Sequence, residues 1–490
     1  MLRVRFAPSP TGFLHIGGAR TFIFNWLYAR SKGGQIVLRI DDTDVGRNTD
    51  ESLRSIMEGL EWIELGWDEK HHQSERGPLH REAVEALLAK NAAYRDFTPP
   101  RPEEERAEGD TSGPWLCNSE MRELPRGESD RRAAAGEPFV VRFRTPREAG
   151  GGVKFKDLVF KSQFRKIEDL EDFALLRSDG SPTYHMASTV DDVDLKITHI
   201  IRGQDHLTNT FKHVLLFQAL GAEPPEFAHL PLLLGPDGSK LSKRKHGPVV
   251  SVTTYRDRGF LPHAFVNFLC LLGWSPKDNR EVMSRQELLD AFSLEGINRV
   301  NALVTFDENS EENWTDPKAL WLNSQHLRLL AKQAKEGAQP EKSKFLGLVQ
   351  KELRSTNLWK PDFAEKQEWV LGTATTIAER YSTLTDFSVR GRAYFDDVFD
   401  PEPRASENLD KDNVRELLRE LAERLAANPD FTEESVEREL RSLAEERGVK
   451  PGLLINGSRA ALTGQSVGPS AFQVFRWIGR EKSIQRLRNV

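Results

Sequence analysis

Arg3-Val-Arg-Phe-Ala-Pro-Ser-Pro-Thr-Gly-Phe-Leu-His-Ile-Gly-Gly-Ala-Arg20 decides the fold of this chain, because it reads as a strand, a broken turn and the start of a helix. Residues 3–7 can extend, and Pro8-Ser-Pro-Thr-Gly12 ends the extension. Over residues 19–30, Phe22, Ile23, Trp26 and Leu27 recur at helical spacing. The next segment, Gln35–Ile40, reads as a second strand, with Val37 and Leu38 available to the two faces of a covered sheet. Strand, turn, helix, strand is the unit from which doubly wound parallel sheets are made. The turn carries His15, Gly17 and Gly18 at the predicted helix start. Backbone N–H groups and the helix dipole favour an anion there, and glycine admits a nucleotide ring. Taken alone, the stretch fits an ordinary glycine turn with a surface histidine equally well.

Working outward, residues 51–65 carry Leu53, Ile56, Met57, Leu60 and Ile63 at helical steps, with Asp50 as the expected cap. Composition then shifts to Thr98-Pro-Pro-Arg-Pro102, an acidic run at Glu103 to Glu105 and scattered Gly, Ser and Pro. Residues 94–183 therefore read as an insertion made mostly of strands and loops, with period-two alternation at 139–144 and 152–155. The first sheet is expected to resume at 196–202, ahead of a helix over 206–220 and a short apolar run at 230–234. Beyond about residue 322 the chain is charged and helical: Val414, Leu417, Leu418, Leu421 and Leu425 form one stripe, and Thr432 caps a helix through Val436 and Leu440.

Composition bounds the function. A chain of 490 residues with 38% hydrophobic and 29% charged side chains is long enough for about three domains. A formal charge of -6, from 69 basic and 75 acidic residues, excludes a histone-like nucleic-acid binder, so any polynucleotide must be held by local patches. Two cysteines, Cys117 and Cys270, exclude a disulfide framework and a multi-cysteine zinc ribbon, and fit a reducing cytoplasm. The start has no secretory apolar core, and the most apolar stretch, 264–274, is too short for a bilayer, so no membrane role is expected.

A second candidate is Lys240-Leu-Ser-Lys-Arg244, continuing into Lys245 and His246. Five cationic or potentially cationic groups in seven residues suit a polyphosphate, although an isolated cluster of this kind is more simply a solvated loop. Together the two stretches say more. His15-Ile-Gly-Gly18 resembles the HIGH motif, and Lys240-Leu-Ser-Lys-Arg244 the KMSKS motif, of class I aminoacyl-tRNA synthetases, in the right order around an insertion. Arg39-Ile-Asp-Asp-Thr-Asp44, Asp179-Gly-Ser-Pro-Thr-Tyr-His185, Val190-Asp-Asp192 and Ile201-Arg-Gly-Gln-Asp-His206 resemble the glutamyl-tRNA synthetase family. Ala461-Leu-Thr-Gly464 and Val467-Gly-Pro469 are similar to the tail of its bacterial members, so the resemblance spans nearly the whole chain.

The resemblance implies an α/β fold. A Rossmann-type catalytic domain (1–93 and 184–239) would be interrupted by a connective, acceptor-end insertion (94–183). The KMSKS loop with a stem-contact domain (240–322) and an all-α anticodon-binding region (323–490) would follow. It implies ligation of L-glutamate to tRNA(Glu) through a glutamyl-adenylate, with ATP and Mg2+ as substrate complex, by a cytoplasmic monomer; tRNA(Gln) stays open as a second acceptor. Attack at the α-phosphate needs charge stabilisation more than proton transfer, so His15, Lys240 and Lys243 are the expected catalytic donors. Arg5 and Arg202 are expected to clamp the glutamate carboxylate, since guanidinium offers fixed bidentate donors. By the same resemblance Ala7, Ser9, Asp41, Tyr184 and Ser188 complete the amino-acid pocket, while Gly17, Gly18, Asp205, Leu233 and Lys243 meet ATP.

There are departures. Many members have glutamate at Asp41, asparagine at Ser188, and some have tryptophan at His206. Some hold zinc through cysteines in the insertion; Cys117 stands alone, so no zinc is expected. Asp307-Glu-Asn-Ser-Glu-Glu-Asn-Trp-Thr-Asp316 looks like an added acidic loop without a functional account. Six basic residues near the end, Arg459, Arg476, Arg480, Lys482, Arg486 and Arg488, against the single acidic Glu481, suit RNA phosphates or a solvated helical face about equally. Among rivals, glutaminyl-tRNA synthetases usually end in β-barrels, the truncated tRNA-nucleoside glutamylating relative lacks an anticodon region, and a non-catalytic scaffold would not need His15, Lys240, Lys243, Arg5 and Arg202.

Overall fold

The computed structural model describes residues 1–44, 46, 48–99, 117–307, 310, 313–337, 339–411 and 413–490, with the side chain of Lys243 outside that description. The acidic run Glu103 to Glu105, and Glu308, Asn309, Glu311 and Glu312 of the acidic loop, lie outside the described residues. The chain forms two compact units, residues 1–254 with 266–316, and residues 255–265 with 317–490.

In the first unit, β1 (Arg3–Phe6) passes through the Pro/Gly turn into α1 (Ile16–Ser31) and β2 (Gln35–Ile40), and α2 (Asp50–Trp62) leads to β3 (Glu69–His72). These strands are parallel in the order β1-β2-β3. The cap of α2 is Thr49, whose hydroxyl accepts from the Ser52 N–H at 3.1 Å; Asp50 is instead the first helical residue, where its charge complements the dipole.

After α3 (Gly77–Ala89) the insertion opens with β4 (Ala93–Asp96). Beside the strands and loops that are expected to make up most of it, it holds two short helices, α4 (Ser119–Arg122) and α5 (Arg126–Ala134). Helix α5 buries none of its side chains, so no apolar period announces it. Then come β5 (Val140–Phe143), the hairpin β6 (Gly152–Asp157) and β7 (Lys161–Lys166), and β8 (Ala174–Leu176). One antiparallel sheet has the order β4-β5-β8.

The chain returns through α6 (Tyr184–Asp194), β9 (His199–Gly203), α7 (Leu207–Leu220) and β10 (Glu226–Leu230). Strand β10 ends at Leu230, where the apolar run 230–234 begins; its polar Glu226 and His229 hide the strand itself from a hydrophobicity reading. β9 and β10 are parallel, and Asp157 of β6 pairs with Phe227 of β10, so the inserted hairpin extends this sheet in the order β7-β6-β10-β9. On its other side β9 abuts β1: the Thr198 N–H donates to the Arg3 carbonyl at 2.9 Å. Strand order thus reverses between β1 and β9, and a crevice opens at their carboxyl ends, where doubly wound sheets bind ligands.

The second unit is helical from Pro317–Lys335 to Arg480–Arg488. Val414, Leu417, Leu418, Leu421 and Leu425 are buried in one core with Leu327, Phe345, Phe387 and Phe475. Thr432 caps the helix Glu433–Glu446, accepting from the Ser435 N–H at 3.2 Å. No described helix is long and apolar enough to cross a membrane.

Candidate active site

A cleft of about 310 Å³ lies at the carboxyl ends of β1 and β9, within the ~300–1,000 Å³ typical of small-molecule sites. Its walls include Arg5, Ala7 and Ser9 from β1 and the turn, His15, Gly17 and Gly18 from the start of α1, Asp41 after β2, and Tyr184 and Ser188 from α6. Arg202, Asp205, Leu233 and Lys240 complete the set. The lining takes in every expected site residue whose side chain is described; the backbone of Lys243 opens the short helix α8 (Lys243–His246), and its side chain lies outside the described structure.

On the α1 side, His15 is the N-cap, and its Nδ1 accepts from the Gly18 N–H at 3.1 Å. A Cβ on Gly17 would stand 3.0 Å from the His15 ring, so glycine leaves room for this fold-back. Enclosure by the cleft walls, then Lys240 and Arg20, lower the His15 pKa, opposed by Asp205. The ring is therefore neutral with Nε2 as its proton-bearing donor beside the positive helix end. Lys240 Nζ donates to Asp205 Oδ2 at 2.7 Å, and Lys245 pairs with Asp237 at 2.5 Å, so carboxylates occupy these loop cations. A polyphosphate is the kind of anion that exchanges with them.

The opposite wall is a buried ion network. Arg5 Nε donates to Asp192 at 3.2 Å. Arg39, fully buried, forks onto Asp41 at 2.6 and 3.1 Å, donates to Asp192 at 2.8 Å and reaches the Ser188 hydroxyl at 3.1 Å. Burial works against the Arg39 charge, and Asp41 with Asp192 outweighs it. Arg39 is absent from the expected site residues, although it lies on β2 only two positions before Asp41. Of the two arginines expected as a clamp, Arg5 holds a carboxylate through Nε, and Arg202 touches none among its described partners.

Arg202 is 5% exposed. Its Nε donates to His229 Nε2 at 3.2 Å, Nη1 to the Tyr184 hydroxyl at 3.1 Å and His213 Nδ1 at 3.4 Å, and Nη2 to Thr210 Oγ1 at 2.7 Å and the His206 carbonyl at 3.3 Å. Burial first holds the surrounding rings neutral, followed by Lys212 and Arg202 for His185, lowered to about 3, and by Arg202 for His206, lowered to about 4. Burial also lowers the Arg202 pKa. A guanidinium desolvated among neutral acceptors is a strong site for an incoming carboxylate. Arg20, likewise missed by the sequence reading, lines the cleft with Nη1 on the Leu272 carbonyl at 2.8 Å and Nη2 on that of Pro231, and burial lowers it to about 9.

The six C-terminal basic residues have partners within the helical unit. Arg486 donates to the carbonyls of Ala393, Leu462 and Asp396, Arg480 to those of Ala426, Leu425 and Pro429, and Arg459 to that of Pro469. Arg476, Lys482 and Arg488 pair with Glu433, Asp397 and Glu423. Their summed charge is therefore a poor guide to RNA contact. Among the described residues no group of three or more His, Cys, Asp or Glu side chains is arranged to hold a metal ion.

Comparison with known proteins agrees with this architecture. The family pattern described as "tRNA synthetases class I (E and Q), catalytic domain" matches residues 1–309, and "Anticodon binding domain" matches residues 329–490. A glutamate–tRNA ligase from Solibacter usitatus is 50% identical, covering 99% of this chain and 98% of that protein; one from Desulfotalea psychrophila is 41% identical over the same shares. The crystal structure of a glutamate tRNA ligase from Elizabethkingia meningosepticum, in complex with its amino acid, superposes with a TM-score of 0.83 at 33% identity, covering 100% of this chain and 98% of that one.

Proposed function

The chain belongs to the glutamate–tRNA ligases of class I, and from that premise we propose that Arg202 receives the side-chain carboxylate of L-glutamate while the His15–Gly18 turn and the Lys240 loop receive the phosphates of ATP. As a member of that family the chain ligates glutamate to tRNA(Glu) with ATP. The glutamate α-carboxylate oxygen attacks the α-phosphorus of ATP, carried as its Mg2+ complex, and pyrophosphate leaves. A ribose hydroxyl of the tRNA's terminal adenosine then attacks the adenylate carbonyl, and AMP leaves.

In this reading His15 donates through Nε2 to a phosphate oxygen, and Lys240 transfers from Asp205 to the polyphosphate, with Lys243 joining it as charge develops. Gly17, Gly18, Asp205 and Leu233 bound the nucleotide; Ala7, Ser9, Asp41, Tyr184 and Ser188 bound the amino acid. Arg5 acts with Asp192 as a fixed wall of that pocket. Residues 94–183 hold the acceptor end, 240–322 the stem and 323–490 the anticodon, and the enzyme works as a cytoplasmic monomer without zinc.

The observation that carries the reading is the buried Arg202 with only neutral groups on its five N–H bonds. Glutamine would leave that charge desolvated and unmatched, which disfavours it. ATP–pyrophosphate exchange with tRNA present tests it: Arg202→Gln is expected to raise the glutamate requirement steeply and to erode preference over glutamine, and an unchanged KM for glutamate overturns it. Aminoacylation with glutamate or glutamine on tRNA(Glu) or tRNA(Gln), in four combinations, decides whether the enzyme also charges tRNA(Gln).

A further inference from the structure

Behind Arg202, outside the cleft lining, stand two side chains for which the reaction has no direct use. Asp157 and His229 are both fully buried, and Asp157 Oδ2 lies 2.6 Å from His229 Nδ1. The other carboxylate oxygen accepts the backbone N–H groups of Val159 at 2.9 Å and Phe160 at 2.7 Å, with that of His229 at 3.4 Å. Asp157 is thus pinned by the turn that follows β6. A carboxylate only accepts, so His229 Nδ1 carries the proton and Nε2 keeps its lone pair. That lone pair faces Arg202 Nε at 3.2 Å, which only donates.

We propose that Asp157 and His229 are positioning residues for glutamate recognition: Asp157 fixes the His229 tautomer, and His229 in turn fixes the rotation of the Arg202 guanidinium presented to the substrate carboxylate. The inference rests on the reading that Arg202 receives that carboxylate.

The neighbouring ring shows why this one differs. His213 Nδ1 meets Arg202 Nη1 at 3.4 Å, longer than the His229 contact, and its other nitrogen meets the neutral His185 at 3.1 Å. His229 has a carboxylate behind it, which locks the ring and strengthens its lone pair as an acceptor. The pair also places a carboxylate one imidazole away from Arg202, while the groups on the guanidinium itself are neutral. Thr210 Oγ1, 3.1 Å from His229 Nε2 and 2.7 Å from Arg202 Nη2, braces the same edge. Asp157 belongs to the inserted hairpin, so a segment outside the two catalytic halves supports the amino-acid pocket.

In Asp157→Asn the amide can donate to His229 Nδ1, which moves the ring proton to Nε2 and sets two donors against each other at Arg202. His229→Leu removes the acceptor, and His229→Gln restores one. In ATP–pyrophosphate exchange with tRNA present, Asp157→Asn and His229→Leu are expected to raise KM for glutamate roughly 10- to 100-fold, with KM for ATP and saturated kcat within about threefold and His229→Gln recovering most of the loss. Asp157→Asn added to Arg202→Gln is expected to change KM for glutamate no further. A packing role predicts a lowered Tm, additive losses and no rescue by His229→Gln, and that pattern overturns the inference. If Asp157→Asn does not fold, the His229→Leu and His229→Gln pair decides. Should Arg202→Gln itself leave KM for glutamate unchanged, the Arg202 reading fails first; should it raise KM while Asp157→Asn and His229→Leu do not, the positioning role alone fails.

Discussion

Arg202 in the cleft and Arg486 in the helical unit are both largely buried arginines that tie separate chain segments together, yet their surroundings differ in kind. Arg486 donates to three backbone carbonyls and to the Asp397 carboxylate at 3.2 Å, and lies over the Phe399 ring at 4.8 Å. Arg202 meets hydroxyls, imidazoles and one carbonyl, with its linked carboxylate a ring away. The first arrangement is closed: its acceptors are mostly main-chain groups of the fold itself, and one is a charge. The second is a desolvated cation on the cleft wall with neutral groups on its N–H bonds, the arrangement behind the proposed carboxylate site. A buried cation therefore reads as a binding group when its contacts are neutral and face a cleft, and as a cross-link when they are carbonyls of the fold.

This contrast can be broken by experiment. The largest effect is expected at Arg202: Arg202→Gln should lower kcat/KM for glutamate on the order of 10³-fold or more. A loss below tenfold would erase the distinction. The mirror case is Arg486→Ala, expected to cost about 2–4 kcal/mol in urea unfolding because three carbonyls lose a charged donor, with KM for glutamate unchanged.

A third effect is graded with pH. His206 is lowered from 6.5 to about 4 and stays neutral in the fold, whereas the unfolded chain takes up its proton near 6.5. The unfolded state thus binds more protons in that window, so stability is full above pH 6.5 and declines as pH falls toward 4. The urea midpoint followed from pH 7.5 to 4.5 should show this slope, flattened in His206→Gln; an equal slope in both proteins would remove His206 from the neutral shell. The smallest effect is expected at Lys482, whose ammonium sits 2.8 Å from Asp397 at the surface. Lys482→Ala should change stability by less than about 1 kcal/mol and tRNA affinity by less than about threefold at physiological salt, and a larger drop in a filter-binding titration would return it to the RNA surface.

Local motifs were legible because their physics is local. The turn from Pro8 to Gly18 must break a strand and start a helix whatever surrounds it, and the stripe from Val414 to Leu425 must bury one face. Strand β3, Glu-Lys-His-His, was not legible: its four polar residues carry no apolar period, and parallel pairing with β2 makes it a strand. The α5 helix escaped for the same reason. In the site, Arg5 and Arg202 were readable as cations on strands, but their difference lay in partners 187 residues away for Arg5–Asp192 and 27 for Arg202–His229.

Residue order alone carried the reaction class, since the glycine turn and the basic loop have a chemistry that short stretches express in full, together with the doubly wound core and the helical end. Folding in three dimensions assigned the charges: which arginine is already matched, which basic residues are spent on carbonyls, and which histidine stands between Asp157 and Arg202. Charge pairing depends on distance through space and on burial, and β6 and β10 bring Asp157 and His229 together from 72 positions apart.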